Sequence, residues 1–178
     1  MKYVALLRGI NVGGKFRVEM SRLRTVFEAC GCTNVLTYIN SGNVIFSDDR
    51  SADQLDTVLE AAIQKEFGFA VPVVLRDVAN IQQLCDKIPD SWTNDTVQRT
   101  DVLFLWKELD DETILQKIQI KPDIEQVLYL DGALVWNIGR ENVMRGGGLK
   151  LIKTDLYKHM TIRNINTVRK LHELLTQA

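Results

Sequence analysis

Residues 35–46 read VLTYINSGNVIF, and the way this stretch divides decides the fold. Val35 to Ile39 has the β-branched and aromatic content of a strand. Asn40-Ser41-Gly42-Asn43 carries the residues of a tight turn, and Val44 to Phe46 returns as a second strand. The chain therefore doubles back here as an antiparallel hairpin. Upstream, Lys2 to Leu7 is a strand whose Val4, Ala5, Leu6 and Leu7 are apolar in succession, so both of its faces are covered. Between the two, Met20, Leu23, Val26, Phe27 and Cys30 fall at helical spacing, and Gly31 provides the stop.

Downstream, Ser51 and Gln54 have the spacing of a capping box. The helix they open carries Leu55, Val58, Leu59, Ala62, Ile63 and Phe67 on its apolar face and ends at Gly68. Val71 to Leu75 is a fourth strand, and Pro72 argues for a sheet edge because it cannot donate to a ladder. The order β-α-β-β-α-β is the ferredoxin-like split βαβ arrangement with strand order 4-1-3-2, which puts the Pro72 strand at an edge.

A helix over about 78–88 and a polar loop through Arg99 lead into a second, imperfect copy. Asp101 to Trp106 is a strand apolar on both faces, and Asp110 caps a helix with Ile114, Leu115 and Ile118. Val127–Leu130 and Ala133–Ile138 flank the hairpin signal Asp131-Gly132. Leu149 to His159 reads as helical, and a last helix carries Ile165, Val168, Leu171 and Leu175. The expected class is α+β: two ferredoxin-like subdomains with antiparallel sheets, the second lacking a clear last strand and ending in a helix. The expected divisions are 1–76, a connecting helix and loop at 77–99, and 100–178.

Composition describes an ordinary soluble protein: 178 residues, 46% hydrophobic and 25% charged. No apolar run approaches the roughly 18 residues that span a membrane, and Arg8 and Asn11 interrupt the N-terminal apolar stretch too soon for a signal peptide. Cys30, Cys32 and Cys85 have no further ligands at metal spacing and read as reduced thiols, so the expected location is the cytoplasm. No metal and no cofactor are expected. The net charge of −1 conceals basic ends, with six Lys/Arg against two Glu over residues 1–46 and eight against three acidic residues over 139–178. Such ends can build an anion-binding surface, and solvated basic helix faces are the plainer reading.

Three stretches are candidates for that surface. Arg8-Gly9-Ile10-Asn11-Val12-Gly13-Gly14-Lys15-Phe16 nearly spells a phosphate-binding P-loop, but Phe16 stands where a hydroxyl would hold Mg²⁺. The sheet is also expected to be antiparallel, whereas nucleotide P-loops sit in parallel βαβ units. In the 4-1-3-2 order this loop and the 40–43 turn share one rim, where Arg8, Asn11, Gly13, Gly14, Lys15, Asn40, Ser41 and Asn43 converge as donors suited to an anion. The structural alternative is that the glycines supply unusual backbone angles while Asn11 and Asn43 hold two loops together. The second candidate is Arg145 with Gly146 to Gly148 and Lys150, three glycines before a helix, which also reads as a hinge. The third is Arg163 with Asn164, where Asn164 equally suits a helix cap.

No catalytic constellation is legible. His159 and His172 have no serine, cysteine or carboxylate at an interpretable spacing, and the pairs Asp48-Asp49 and Asp110-Asp111 sit at turns and helix starts. Enzymatic activity stays open, and so does the oligomeric state.

YVALLRGINVGGK at residues 3–15, the Met20–Leu23–Phe27 helix and TYINSGNVIF at 37–46 together resemble the bacterial family called domain of unknown function 1697. The resemblance is dense over 3–46, looser through 101–138, and returns at TIRNINTV. It implies two ferredoxin-like subdomains and no particular activity. Ile165 stands where relatives carry tryptophan, and the GGGLK stretch replaces Ser-Lys-Leu, so the resemblance lends the C-terminal segment no ligand role. The expected function is binding of a small anionic ligand, a nucleotide or phosphorylated metabolite, at the basic Gly/Asn-rich rim. The alternatives are nucleic-acid binding, less favoured because the first strand is apolar on both faces, and a protein-interaction module.

Overall fold

The structure is a computed structural model and describes residues 1–177. Its contacts divide the chain into two compact units, one of Met1–Ala79 with the chain from Leu171 onward, the other of Asn80–Lys170. The first contains β1 (Lys2–Leu7), α1 (Met20–Ala29), β2 (Thr33–Tyr38), β3 (Asn43–Ser47), α2 (Ala52–Phe67) and β4 (Val73–Asp77). Its sheet runs β2-β3-β1-β4, all antiparallel, so the proline-preceded β4 does lie at an edge. Gln54 Oε1 accepts the Ser51 N–H at 3.0 Å, closing the capping box at the start of α2. Gly68 ends α2 at φ 81°.

α2 packs through Leu55, Leu59 and Ile63, one turn apart and fully buried. Each contributes about 2 kcal/mol of apolar burial. Val58 lies off that stripe and is 41% exposed. The three side chains belong to a core with Tyr3, Ala5 and Leu7 of β1 and Phe27 of α1. Phe46 of β3 stacks on Tyr3 with centroids 5.6 Å apart and meets Phe27 edge-on at 5.3 Å. Val4 and Leu6, on the opposite face of β1, are also fully buried, as an unalternating apolar strand requires.

α3 (Val78–Lys87) leads toward the second sheet, which contains β5 (Gln98–Leu105), β6 (Glu125–Leu130), β7 (Ala133–Gly139) and β8 (Met160–Asn164). The order is β6-β7-β5-β8, the same as in the first unit. The chain is thus α+β with two four-stranded antiparallel sheets, consistent with two ferredoxin-like subdomains. One detail differs from expectation. The second unit has its last strand: β8 pairs antiparallel with β5, Leu103 opposite Ile162. The segment Met160-Thr161-Ile162-Arg163-Asn164 alternates apolar and polar, but its polar face is buried and masks the pattern.

The helices between these strands are shorter than expected. α4 (Ile114–Lys117) is one turn, its N-cap position is Thr113, and Asp110 does not cap it. Asp110 Oδ1 instead accepts Gly132 N–H at 2.8 Å and Tyr129 OH at 3.0 Å, holding the β6–β7 turn. α5 covers only Gly148–Leu151, where a helix to His159 was expected. Thr154 Oγ1 donates to Leu151 C=O at 2.7 Å, and Thr154 itself is extended ahead of a 3-10 turn at Asp155–His159. α6 (Ile165–Gln177) completes the chain. Among the described residues no helix is long and apolar enough to cross a membrane.

Candidate functional site

The glycine-rich loop is a miniature hairpin. Asn11 N–H donates to Phe16 C=O at 3.1 Å, and Val12 bridges Lys15 across Gly13-Gly14. Those two glycines sit at φ 60° and 76°, the left-handed pair that a two-residue turn of this hand requires. No helix starts at Lys15, because α1 begins only at Met20, so the dipole geometry of a P-loop is absent.

Asn11 fastens the hairpin to its surroundings. Its Oδ1 accepts Val18 N–H at 2.9 Å, and its Nδ2 donates to Val18 C=O at 2.9 Å and to Asn40 C=O at 2.8 Å. The loop and the 40–43 turn thus share one rim, as the strand order demands. Leu7 N–H reaches Gly42 C=O and Arg8 N–H reaches Pro72 C=O, both at 2.9 Å. Asn43 is fully buried, and its Nδ2 bridges Tyr38 C=O and Ser41 Oγ at 2.9 and 3.1 Å. The amides of Asn11 and Asn43 therefore hold backbone together.

Beside this frame lies a cleft of about 200 Å³ lined by Arg8, Gly9, Phe16, Phe69, Val71 and Pro72 among others. Phe16 is 53% exposed and packs on Phe69 with centroids 5.1 Å apart. Asn11 at φ 55° and Phe16 at φ 51° both occupy the left-handed region, which is unusual for a bulky aromatic and collects at ligand-holding loops. Sequence reasoning missed Phe16 and Phe69 as partners. The only signal was two phenylalanines next to glycine-containing connections that meet the same rim.

The other two candidates are placed differently. At Gly146–Gly148 an acceptor is already in place, and it belongs to the protein. Glu125 is 3% exposed, and its Oε1 accepts Lys121 N–H at 2.7 Å and Gly147 N–H at 2.9 Å. Its Oε2 accepts Gly147 N–H at 3.0 Å and the Trp136 indole N–H at 3.0 Å. A Cβ on Gly147 would stand 1.8 Å from Gln119 C=O, so glycine is required there by close approach. Arg145 and Lys150 are exposed at the flanks; Lys150 Nζ donates to Gln119 Oε1 at 2.8 Å.

Arg163 is buried, and the apolar surroundings pull its guanidinium down to about 10. Its Nη1 donates to Thr161 Oγ1 at 3.0 Å and Ile162 C=O at 2.8 Å. Asn164 caps α6, its Oδ1 accepting Thr167 N–H at 2.9 Å. These residues do not gather around Arg145 and Lys150. Burial likewise keeps the thiols protonated: Cys32 is pushed up to about 12 and Cys85 to about 11. Among the described residues no three His, Cys, Asp or Glu side chains come together to hold a metal ion.

The model of the family described as Protein of unknown function (DUF1697) matches residues 1–136. The chain belongs to the DUF1697 family. It is also similar to a solved structure, the conserved bacterial protein SP0830 from Streptococcus pneumoniae, at 31% identity and a TM-score of 0.84 over 98% of each chain. No curated protein matches the chain. The match over residues 1–136 takes in the miniature hairpin, both phenylalanines and Glu125.

Proposed function

We propose that this DUF1697 protein binds a small anionic ligand, a nucleotide or phosphorylated metabolite, in the cleft beside the glycine-rich hairpin. The observation that carries this reading is the pairing of Arg8 with the Phe16–Phe69 wall in one cleft. A guanidinium supplies paired donors for a phosphate or carboxylate, and an aromatic wall takes a planar ring. A volume of about 200 Å³ accommodates one ring or one phosphate-bearing group, so the rest of the ligand extends past the exposed Lys15. The mononucleotides are therefore the favoured class. We further propose a cytoplasmic location, in keeping with Cys30, Cys32 and Cys85 as free thiols.

The test is thermal unfolding of the pure protein with AMP, ATP, glucose 6-phosphate and inorganic phosphate at two salt concentrations. A ligand at 100 times its Kd adds about 2.7 kcal/mol, a shift of several degrees. The expected result is a shift from a mononucleotide that Arg8→Ala and Phe69→Ala each remove. No shift with any of the four sinks the reading.

Single-stranded nucleic acid is the second reading, favoured by the exposed Phe16 standing between exposed Lys15 and Arg17. Base stacking on the sheet face opposite the helices is closed off, since Val4, Leu6 and Ile45 are buried. An affinity for oligo(dT) whose logarithm falls linearly with log salt distinguishes it from a mononucleotide site.

A further inference from the structure

β5 and β7 place unlike residues side by side on one face of the second sheet. Arg99 lies opposite Ile138, Asp101 opposite Trp136, and Leu103 opposite Leu134, with Ile162 of β8 next to Leu103. The segment Val143–Tyr157 passes over this face and leaves a cleft of about 70 Å³. Its walls are apolar: Leu103, Trp136 and Ile138 from the sheet, and Leu151, Ile152 and Tyr157 from the covering segment. The two charged residues that line it, Arg99 and Asp101, stand together, Arg99 Nε donating to Asp101 Oδ2 at 2.6 Å.

We infer that this cleft is a second binding site, distinct from the Arg8 cleft, for a small neutral molecule with a branched apolar group and one hydroxyl. Three features lead to that class. The volume is about half of the roughly 150 Å³ that takes up six-carbon benzene, which suits a branched group of about three carbons, such as the isopropyl end of isobutanol. An apolar lining with a few convergent polar groups is the usual character of a small-molecule site. The Asp101 carboxylate already has its counter-charge in Arg99, so a further charged group entering would be desolvated without a partner. A hydroxyl donates to a carboxylate without adding charge.

The covering segment is pinned rather than loose. Glu125 holds Gly147 N–H and the Trp136 indole N–H at once, so the cleft's roof and one of its walls are anchored on the same carboxylate. The mouth is apolar as well, with Leu149 37% and Ile152 47% exposed.

The test is a ¹H–¹⁵N NMR titration of the full chain with isobutanol, with isobutyrate as the charged control of the same carbon skeleton. Saturable shifts are expected at the Trp136 indole and Gly147 amide, with Kd in the millimolar range and none from isobutyrate. Gly148→Ala narrows the cleft, since its new Cβ meets Trp136 Cε2 at 3.8 Å, an ordinary contact. It is expected to weaken isobutanol at least fivefold. Ile162→Val widens the cleft and is expected to favour the bulkier neopentyl alcohol over isobutanol, a reversal that mere destabilisation would not produce. Absence of saturable shifts overturns the inference, as do equal binding of isobutyrate or unchanged affinity in Gly148→Ala. Signals that move on protein dilution without any alcohol overturn it too, because the mouth is then covered by a second copy.

Discussion

The Trp136 indole N–H donates to Glu125 Oε2 at 3.0 Å, with both side chains buried in the second unit. Glu125 lies opposite Ile138 in the β6–β7 ladder and Trp136 opposite Val127, so the bond is a diagonal cross-strand contact. The same carboxylate takes Gly147 N–H. Glu125→Ala leaves those two donors buried without an acceptor, at about 1–3 kcal/mol for each. A loss of about 2–6 kcal/mol in urea unfolding is expected, accompanied by a change in Trp136 fluorescence. Glu125→Gln, which keeps one acceptor oxygen, is expected to lose less.

At Asn11, backbone strain and side-chain bonding separate cleanly. Asn11→Gly relieves the φ of 55° but loses three hydrogen bonds. Asn11→Ala loses the same bonds and keeps the strain. Alanine is expected to be the less stable by about 1 kcal/mol, measured by chemical denaturation. Limited proteolysis is expected to cut near Gly13-Gly14 faster in both variants than in the natural chain.

Two glycines with the same backbone sign should respond differently to alanine. Gly13 has φ 60° and open space around a would-be Cβ, so Gly13→Ala costs only the left-handed conformation, about 1–2 kcal/mol. Gly42 has φ 79°, and its Cβ would fall 2.6 Å from Ile10 Cδ1 and 2.8 Å from Leu7 Cβ. Gly42→Ala adds overpacking of about 1–3 kcal/mol and is expected to lower Tm further than Gly13→Ala. Equal shifts would count against the close approach at Gly42.

Asp48 sets an acid dependence. Hydrogen bonds from the Arg50 side chain hold its carboxyl well below the usual range, aided by the Arg50 backbone N–H and the Cys32 thiol and opposed by burial. The folded state is thus the stronger acid. Its stabilisation is fully present above the ordinary value of 3.8 and is lost as pH falls through the lower folded value. Asp48→Asn is expected to cost about 1.5–3 kcal/mol at pH 7, the range for a hydrogen bond to a charged group. The gap between it and the natural chain should stay level down to about pH 5 and close below pH 4, where the acid begins to titrate. A gap that is unchanged at pH 2.5 would rule out the Asp48–Arg50 pair as its source.

Which parts were legible in the sequence follows the range of the interactions that set them. The order β2-β3-β1-β4 could be read because a turn at 40–43, a capping box at Ser51 and Gln54, and a proline before β4 are local signals that agree. β8 was obscured although Met160 and Ile162 alternate with Thr161 and Arg163, because a buried arginine looks like a surface residue until its covering is known. The rim was legible as a meeting of loops, since antiparallel pairing of β1 with β3 brings those ends together.

By itself the sequence determined the element order of the first unit, the strand order of its sheet, and the glycine positions where the chain must turn left-handed, because turns, caps and hydrophobic period act over a few residues. Only the tertiary structure decided what each exposed-looking donor meets. Gly147 is served by a glutamate 22 residues away, and Arg8 shares its cleft with Phe69, contacts created by strand pairing across long loops. Hydrogen-bond partners and cleft walls are set by packing in three dimensions, and spacing along the chain carries no record of them.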